Sequence, residues 1–191
     1  CVVIQYRSWG NTMFDHKIII TGAVGVGKST AIRTYSTSAV VDTDVRATDE
    51  TSQIKKDTTV AMDYGTITLD AETKVHLYGT PGQERFDFMW EILRSGSRGL
   101  IVLVNAQSTD PGQELRFYLH AFADVVNKVP VVVGLNQTDK NEHSSAMVAE
   151  LQQVVEEVGV SADVLVVDVR KRKDVNKLVK RILFSDKLFA V

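Results

Sequence analysis

The segment Gly22-Ala23-Val24-Gly25-Val26-Gly27-Lys28-Ser29 combines glycines, an ammonium and a hydroxyl at a spacing that suits one chemistry, the holding of a chain of phosphates. It fits the phosphate-binding loop pattern G-x-x-x-x-G-K-[ST]. Glycines let the backbone wrap closely around an oxyanion, so that successive N–H groups point inward. A helix starting beside Lys28 adds the positive end of its dipole. On this reading Lys28 reaches the β- and γ-phosphates and Ser29 ligates Mg²⁺, while Gly22, Val24, Gly25, Val26, Gly27 and Thr30 complete the cradle. The pattern specifies a nucleoside triphosphate. It leaves open which base is read and whether hydrolysis follows.

Such a loop works only if a strand delivers it and a helix carries it away. The run Lys17-Ile18-Ile19-Ile20-Thr21 predicts the strand, and Ser29–Tyr35 is compatible with the helix. Residues 42–59 are polar, charged and Thr-rich, lack helical periodicity and read as a loop. Thr59–Leu69 and Lys74–Tyr78 read as two strands of a hairpin turning at Asp70-Ala71-Glu72-Thr73. Gly79-Thr80-Pro81-Gly82 breaks the chain before a helix candidate over Glu84–Ser95. The continuous apolar runs Leu100–Val104 and Pro130–Leu135, with Val164–Val167, predict buried strands. Helical spacing marks Gly112–Asn127, Ser144–Val158 and Asp174–Phe184. Strands buried on both faces and alternating with helices predict a three-layer α/β/α fold. Its sheet is mostly parallel and six-stranded, with one antiparallel edge strand. In such folds ligands sit beyond the carboxyl ends of the strands, and the chemical motifs of this chain all fall at such ends.

Composition sets bounds. A chain of 191 residues fits one domain with a sizeable core, read as residues 15–191 behind an N-terminal extension or cloning remnant at 1–14. A net charge of −2 gives no broad nucleic-acid footprint, and the basic run Arg170–Lys173 is read as a solvated helix start. The single cysteine, Cys1, excludes an internal disulfide and suggests a reducing, cytoplasmic setting. No apolar run approaches a membrane span. No cysteine stands near Val191, so no direct membrane anchor is expected. His16, His76, His120 and His143 are scattered without metal-ligand spacing.

Taken together, the segments resemble the Ras-like small GTPases of the P-loop NTPase class over roughly residues 15–185. The stretches Thr58–Gly65 and Leu77–Phe86 are similar to the prokaryotic branch in particular: the MglA-type polarity GTPases and those paired with roadblock-domain proteins. The resemblance implies GTP and GDP as ligands and Mg²⁺ as cofactor. It also implies a first switch threonine at Thr59 (or Thr58, one residue earlier) that binds the metal and senses the γ-phosphate. It implies that Gly82 donates its N–H to the γ-phosphate and that Gln83 orients the attacking water. The family usually places an Asp three residues before that glycine; this chain has Gly79 there. Asp63, on the neighbouring strand, is an acidic residue in an otherwise apolar or hydroxylic stretch and is expected to stand in for it, or else to be a solvated edge residue.

Asn136-Gln137-Thr138-Asp139 matches the base-reading segment Asn-Lys-x-Asp except at Gln137. An Asp139 carboxylate can accept two hydrogen bonds from guanine N1 and N2, which adenine does not offer. Gln137 is shorter than lysine and uncharged, so weaker nucleotide affinity is expected. The last segment aligns loosely with Asp168-Val169-Arg170, where the Val169 N–H would meet guanine O6 and Arg170 would cover the base. The resemblance further implies a roadblock-domain or other regulatory partner on residues 42–64 and 80–95. Two other readings remain open from sequence: a hydrolysis-deficient nucleotide-binding scaffold, favoured by Gly79 and Gln137, and an ATP-using P-loop enzyme.

Overall fold

The computed structural model describes residues 14–37, 41–45, 60–81, 90, 93–137 and 144–185. The strands are β1 (Phe14–Thr21), β2 (Val41–Val45), β3 (Val60–Thr68), β4 (Thr73–Gly79), β5 (Gly99–Asn105), β6 (Val131–Asn136) and β7 (Ala162–Val166). The helices are α1 (Lys28–Tyr35), α2 (Pro111–Ala121), α3 (Ala123–Val126), α4 (Ser144–Val158) and α5 (Arg172–Leu183).

One sheet runs in the order β2-β3-β4-β1-β5-β6-β7, with helices on both faces. β4, β1, β5, β6 and β7 pair in parallel, whereas β3 runs antiparallel to both β4 and β2. This is the mostly parallel α/β/α architecture expected of a P-loop NTPase. It carries seven strands, because Val41–Val45, which overlaps the stretch 42–59 read as a loop, pairs along β3 from Val41↔Tyr64 to Val45↔Val60. The antiparallel strand therefore lies second from the edge. Val41-Asp42-Thr43-Asp44-Val45 lacks the long apolar run that marks a strand buried on both faces. Its placement rests on backbone pairing, which hydropathy does not register.

Alternation along the central strands feeds two cores. Ile19, Leu100, Val102 and Val104 pack under Leu115 and Leu119 of α2 and Leu151 and Val155 of α4. Ile18, Ile20, Ile101 and Leu103 pack against Ile32 and Tyr35 of α1 and Val175, Leu178 and Ile182 of α5 on the opposite face. Each such aliphatic side chain stabilises the fold by about 1.5–3 kcal/mol when fully buried. Truncating one to alanine costs about 2–5 kcal/mol. The strand ends that carry the functional loops are thus fixed from both sides.

The helix expected over 112–127 is interrupted at Phe122, whose backbone (φ −110°, ψ 26°) ends α2 before α3 begins. Phe122 is fully buried and stacks on Trp90 at 5.6 Å, so core packing makes a break that no glycine or proline announces. Of the helix candidate at 84–95, Trp90, Leu93 and Arg94 are helical; most of the rest lies outside the described residues.

Candidate functional site

β1 ends in Thr21, and the chain turns through Gly22–Gly27 into α1. Gly27 is the N-cap of α1 with φ 108°, and its side-chain-free position leaves the first-turn amides uncapped among the described residues. A Cβ on Gly27 would lie 2.8 Å from Val169 Cγ2 and 3.0 Å from Asn136 Nδ2, so the loop fits against its neighbours only as glycine. Val24 and Gly25 stand at the exposed tip, Val26 is fully buried, and Thr30 faces solvent. The Lys28 ammonium is buried and donates to the carbonyls of Gly22 (2.6 Å) and Ala23 (2.8 Å). Burial draws its pKa down from 10.5 to about 8, with the Asp63 and Glu114 carboxylates pulling the other way.

Next to the loop, the Ser29 hydroxyl donates to Asp63 Oδ2 at 2.5 Å. The β3–β4 register sets Asp63 directly opposite Gly79. A Cβ on Gly79 would lie 3.1 Å from Asp63 Cβ and 3.4 Å from Asp63 Oδ2. The Asp63 carboxylate thus stands on the adjacent strand beside Ser29, in space that a side chain at 79 would crowd. Among the described residues no three His, Cys, Asp or Glu side chains cluster as a metal cage. A hydroxyl and one carboxylate are the hard oxygen donors that suit Mg²⁺, which commonly completes its shell with phosphate oxygens and water.

Beyond β4, Thr80 donates its N–H to the Ile20 carbonyl (2.9 Å) and its hydroxyl to Thr21 Oγ1 (2.9 Å). The Trp90 indole donates to the Pro81 carbonyl at 3.2 Å. These bonds anchor the chain as it leaves β4. Gly82 and Gln83, like Thr59 and Asp139, lie outside the described residues.

The far rim is built from neutral amides. Asn136, at the end of β6, is buried; its Nδ2 donates to the Val26 carbonyl (2.8 Å) and its Oδ1 accepts from the Val169 N–H (3.3 Å). One side chain therefore joins the phosphate loop, β6 and the turn before α5. Gln137 Nε2 donates to the Gly25 carbonyl at 3.0 Å, so the link to the phosphate loop is made without a charge. The Arg170 guanidinium is exposed and lies on the Asp168 carboxylate through Nε (2.8 Å) and Nη2 (3.0 Å). That pairing holds Asp168 well below the usual carboxylate range.

The turn after β5 also enters the site, and nothing in its sequence signals this. Ala106 donates its N–H to the Asn136 carbonyl (2.8 Å), and Gln107 Nε2 donates to the Gln137 carbonyl (3.2 Å). Asn105-Ala106-Gln107-Ser108 reads as an ordinary polar turn, with no motif spacing to mark it. Glu114, on α2, is half-buried, and that burial raises its pKa.

The model of a family described as "Conserved hypothetical ATP binding protein" matches residues 34–187. An uncharacterized protein of Methanocaldococcus jannaschii is 29% identical over 126 residues, 64% of this chain and 70% of that protein. Ras-related protein Rab-18 of Lymnaea stagnalis is 29% identical over 133 residues, 66% of this chain and 59% of its own length. Ras-related protein RABD2a of Arabidopsis thaliana is 25% identical over 156 residues, 78% of this chain and 71% of that protein. The fold, the loop and these likenesses agree on a nucleotide-binding P-loop protein distantly related to the Ras-related proteins.

Proposed function

The chain belongs to the family described as conserved hypothetical ATP-binding proteins, and from that premise we propose that it is a guanine-nucleotide switch that hydrolyses GTP to GDP and phosphate. The observation that carries this reading is Asn136, whose one amide ties the phosphate loop at Val26 to the turn at Val169. In the proposed scheme the amides of residues 22–30 and the Lys28 ammonium bind the phosphates, and Asp139 reads the guanine edge. Lys28 holds negative charge where it develops as water attacks the γ-phosphate in line, and Gln83 orients that water, with Thr59 reporting the γ-phosphate. Ser29 and Asp63 would hold Mg²⁺, which when bound neutralises charge on the β- and γ-oxygens. Slow unaided turnover and dependence on a regulatory partner, such as a roadblock-domain protein at residues 42–64 and 80–95, belong to the same proposal, as does a place in the MglA-type branch.

The family's description favours a second reading, in which the base is adenine. Titrating purified protein with GTP, GDP, ATP and ADP in Mg²⁺ buffer separates the two. Guanine nucleotides are expected to bind at micromolar or tighter affinity and ATP about 100-fold or more weakly, the discrimination that an unpaired buried acceptor imposes. Equal or tighter ATP binding overturns the guanine assignment, and retention of neither overturns the site. Single-turnover phosphate release, with Gln83→Leu as the inactive control, tests hydrolysis itself.

A further inference from the structure

We propose that Gln107, in the turn after β5, is a positioning residue of the nucleotide pocket, acting by pinning the left-handed peptide of Gln137 against the phosphate loop. Gln137 has φ 63° and is the one non-glycine residue with positive φ among the described residues. L side chains disfavour that region, so such a residue persists only where its surroundings hold it. Two hydrogen bonds do so. The Gln137 side chain donates to Gly25 O at the tip of the phosphate loop (3.0 Å). From the other side, its carbonyl accepts from Gln107 Nε2 (3.2 Å).

The donor sits on a rigid base. The Gln107 N–H is bound to Asn105 Oδ1 at 2.8 Å, the Ser108 N–H to the Asn105 carbonyl at 3.0 Å, and the Ala106 N–H to the Asn136 carbonyl at 2.8 Å. The side-chain amide of Gln107 is therefore presented by a fixed backbone to a carbonyl whose direction depends on an unfavourable φ. Without that donor, Gln137 can relax toward ordinary dihedrals, and its own amide then leaves Gly25. The pocket loosens at the junction of the phosphate loop and the base-reading segment, while Lys28, Ser29 and Asp63 keep their contacts. Gln107 thus sets how long a nucleotide stays rather than how fast its phosphate is cleaved. This inference rests on the reading of the pocket as a purine-nucleotide site.

The test compares the wild-type chain with Gln107→Ala and Gln107→Arg, the latter retaining an N–H donor. Release of fluorescently labelled GDP is followed in Mg²⁺ buffer, together with thermal melting of the nucleotide-free proteins. Gln107→Ala is expected to release nucleotide about three- to tenfold faster, the size expected for one neutral hydrogen bond. Gln107→Arg is expected to restore the wild-type rate to within about twofold. Nucleotide-free melting temperatures should agree within about 2 °C, because an exposed surface contact contributes little to global stability. An unchanged release rate in Gln107→Ala overturns the proposal. So does acceleration that Gln107→Arg fails to reverse, or a nucleotide-free melting temperature that falls in step with the release rate. If the wild-type protein binds labelled ADP and no GDP, the guanine reading fails and the same comparison with ADP decides the role of Gln107.

Discussion

The two ends of the candidate site are held by different chemistry. At the phosphate end an ammonium, a hydroxyl and a carboxylate face one another, with Lys28 on its own loop carbonyls and Ser29 on Asp63. At the other end Asn136, Gln137 and Gln107 join three segments through neutral amides. Charged groups respond strongly to a charged ligand and change partners when it arrives. Neutral amides in fixed geometry change little, so they serve as a frame. Breaking the buried joint of the frame at Asn136 should therefore harm the empty protein, whereas breaking the charged end, or the exposed amide contact of Gln107, should harm chiefly the liganded one.

Asn136→Ala gives the largest expected effect. It strands a carbonyl at Val26 and an N–H at Val169, both buried, each costing about 1–3 kcal/mol when left unpaired. Chemical denaturation of the nucleotide-free protein should show the loss, and nucleotide affinity should fall with it. Unchanged stability would show that the frame does not depend on this residue. Lys28→Met should instead lower affinity about 10- to 150-fold, the value of a charge-assisted hydrogen bond. The nucleotide-free protein should melt nearly as before, since relief of a buried ammonium offsets the donor lost to Gly22 and Ala23. A large loss of stability in the empty protein would erase the contrast between the ends.

Asp63 and Gly79 sharpen the comparison at the charged end. Asp63→Asn keeps the shape of the side chain and removes its charge, so nucleotide affinity should lose several-fold of its Mg²⁺ dependence, read by titrating Mg²⁺ against release of labelled GDP. Gly79→Asp alone must displace Asp63 Cβ and Ile32 Cδ1, each 3.1 Å from the new Cβ, and should destabilise the protein by about 1–3 kcal/mol. Combining it with Asp63→Gly moves the carboxylate to the neighbouring strand and should recover both stability and Mg²⁺ dependence. Failure of the pair to rescue would mean that Asp63 and Gly79 are not alternatives for one role.

What the sequence disclosed follows the same division. The phosphate loop was legible because its glycines, lysine and serine stand at fixed spacing. β1, β5 and β6 were legible because burial on both faces demands unbroken apolar runs. Asp63 stood out as an acid among apolar residues, but its partner Ser29 is 34 positions away, and only the sheet register brings the two together. Gln107 was not legible at all. A lone glutamine in a polar turn carries no pattern, and its acceptor is a backbone carbonyl, which has no residue type to read. β2 was hidden for a related reason, since edge pairing uses backbone groups that every residue shares.

The smallest expected effect tests whether the frame needs charge. Gln137→Lys leaves the backbone at φ 63° and the carbonyl that Gln107 holds, and exchanges only the donor to Gly25 O. An ammonium is a stronger donor than an amide, but its tether is longer and the site is half-exposed, where screening removes much of the advantage. The gain should be about two- to fivefold in nucleotide affinity at low salt, shrinking as ionic strength rises. Titrations at two salt concentrations check it. A salt-independent gain would point to packing of the lysine stem rather than to its charge. A gain of a hundredfold would mean that Gln137 leaves the base-reading end substantially underbuilt and that the neutral frame is a weakness of the pocket, not its scaffold.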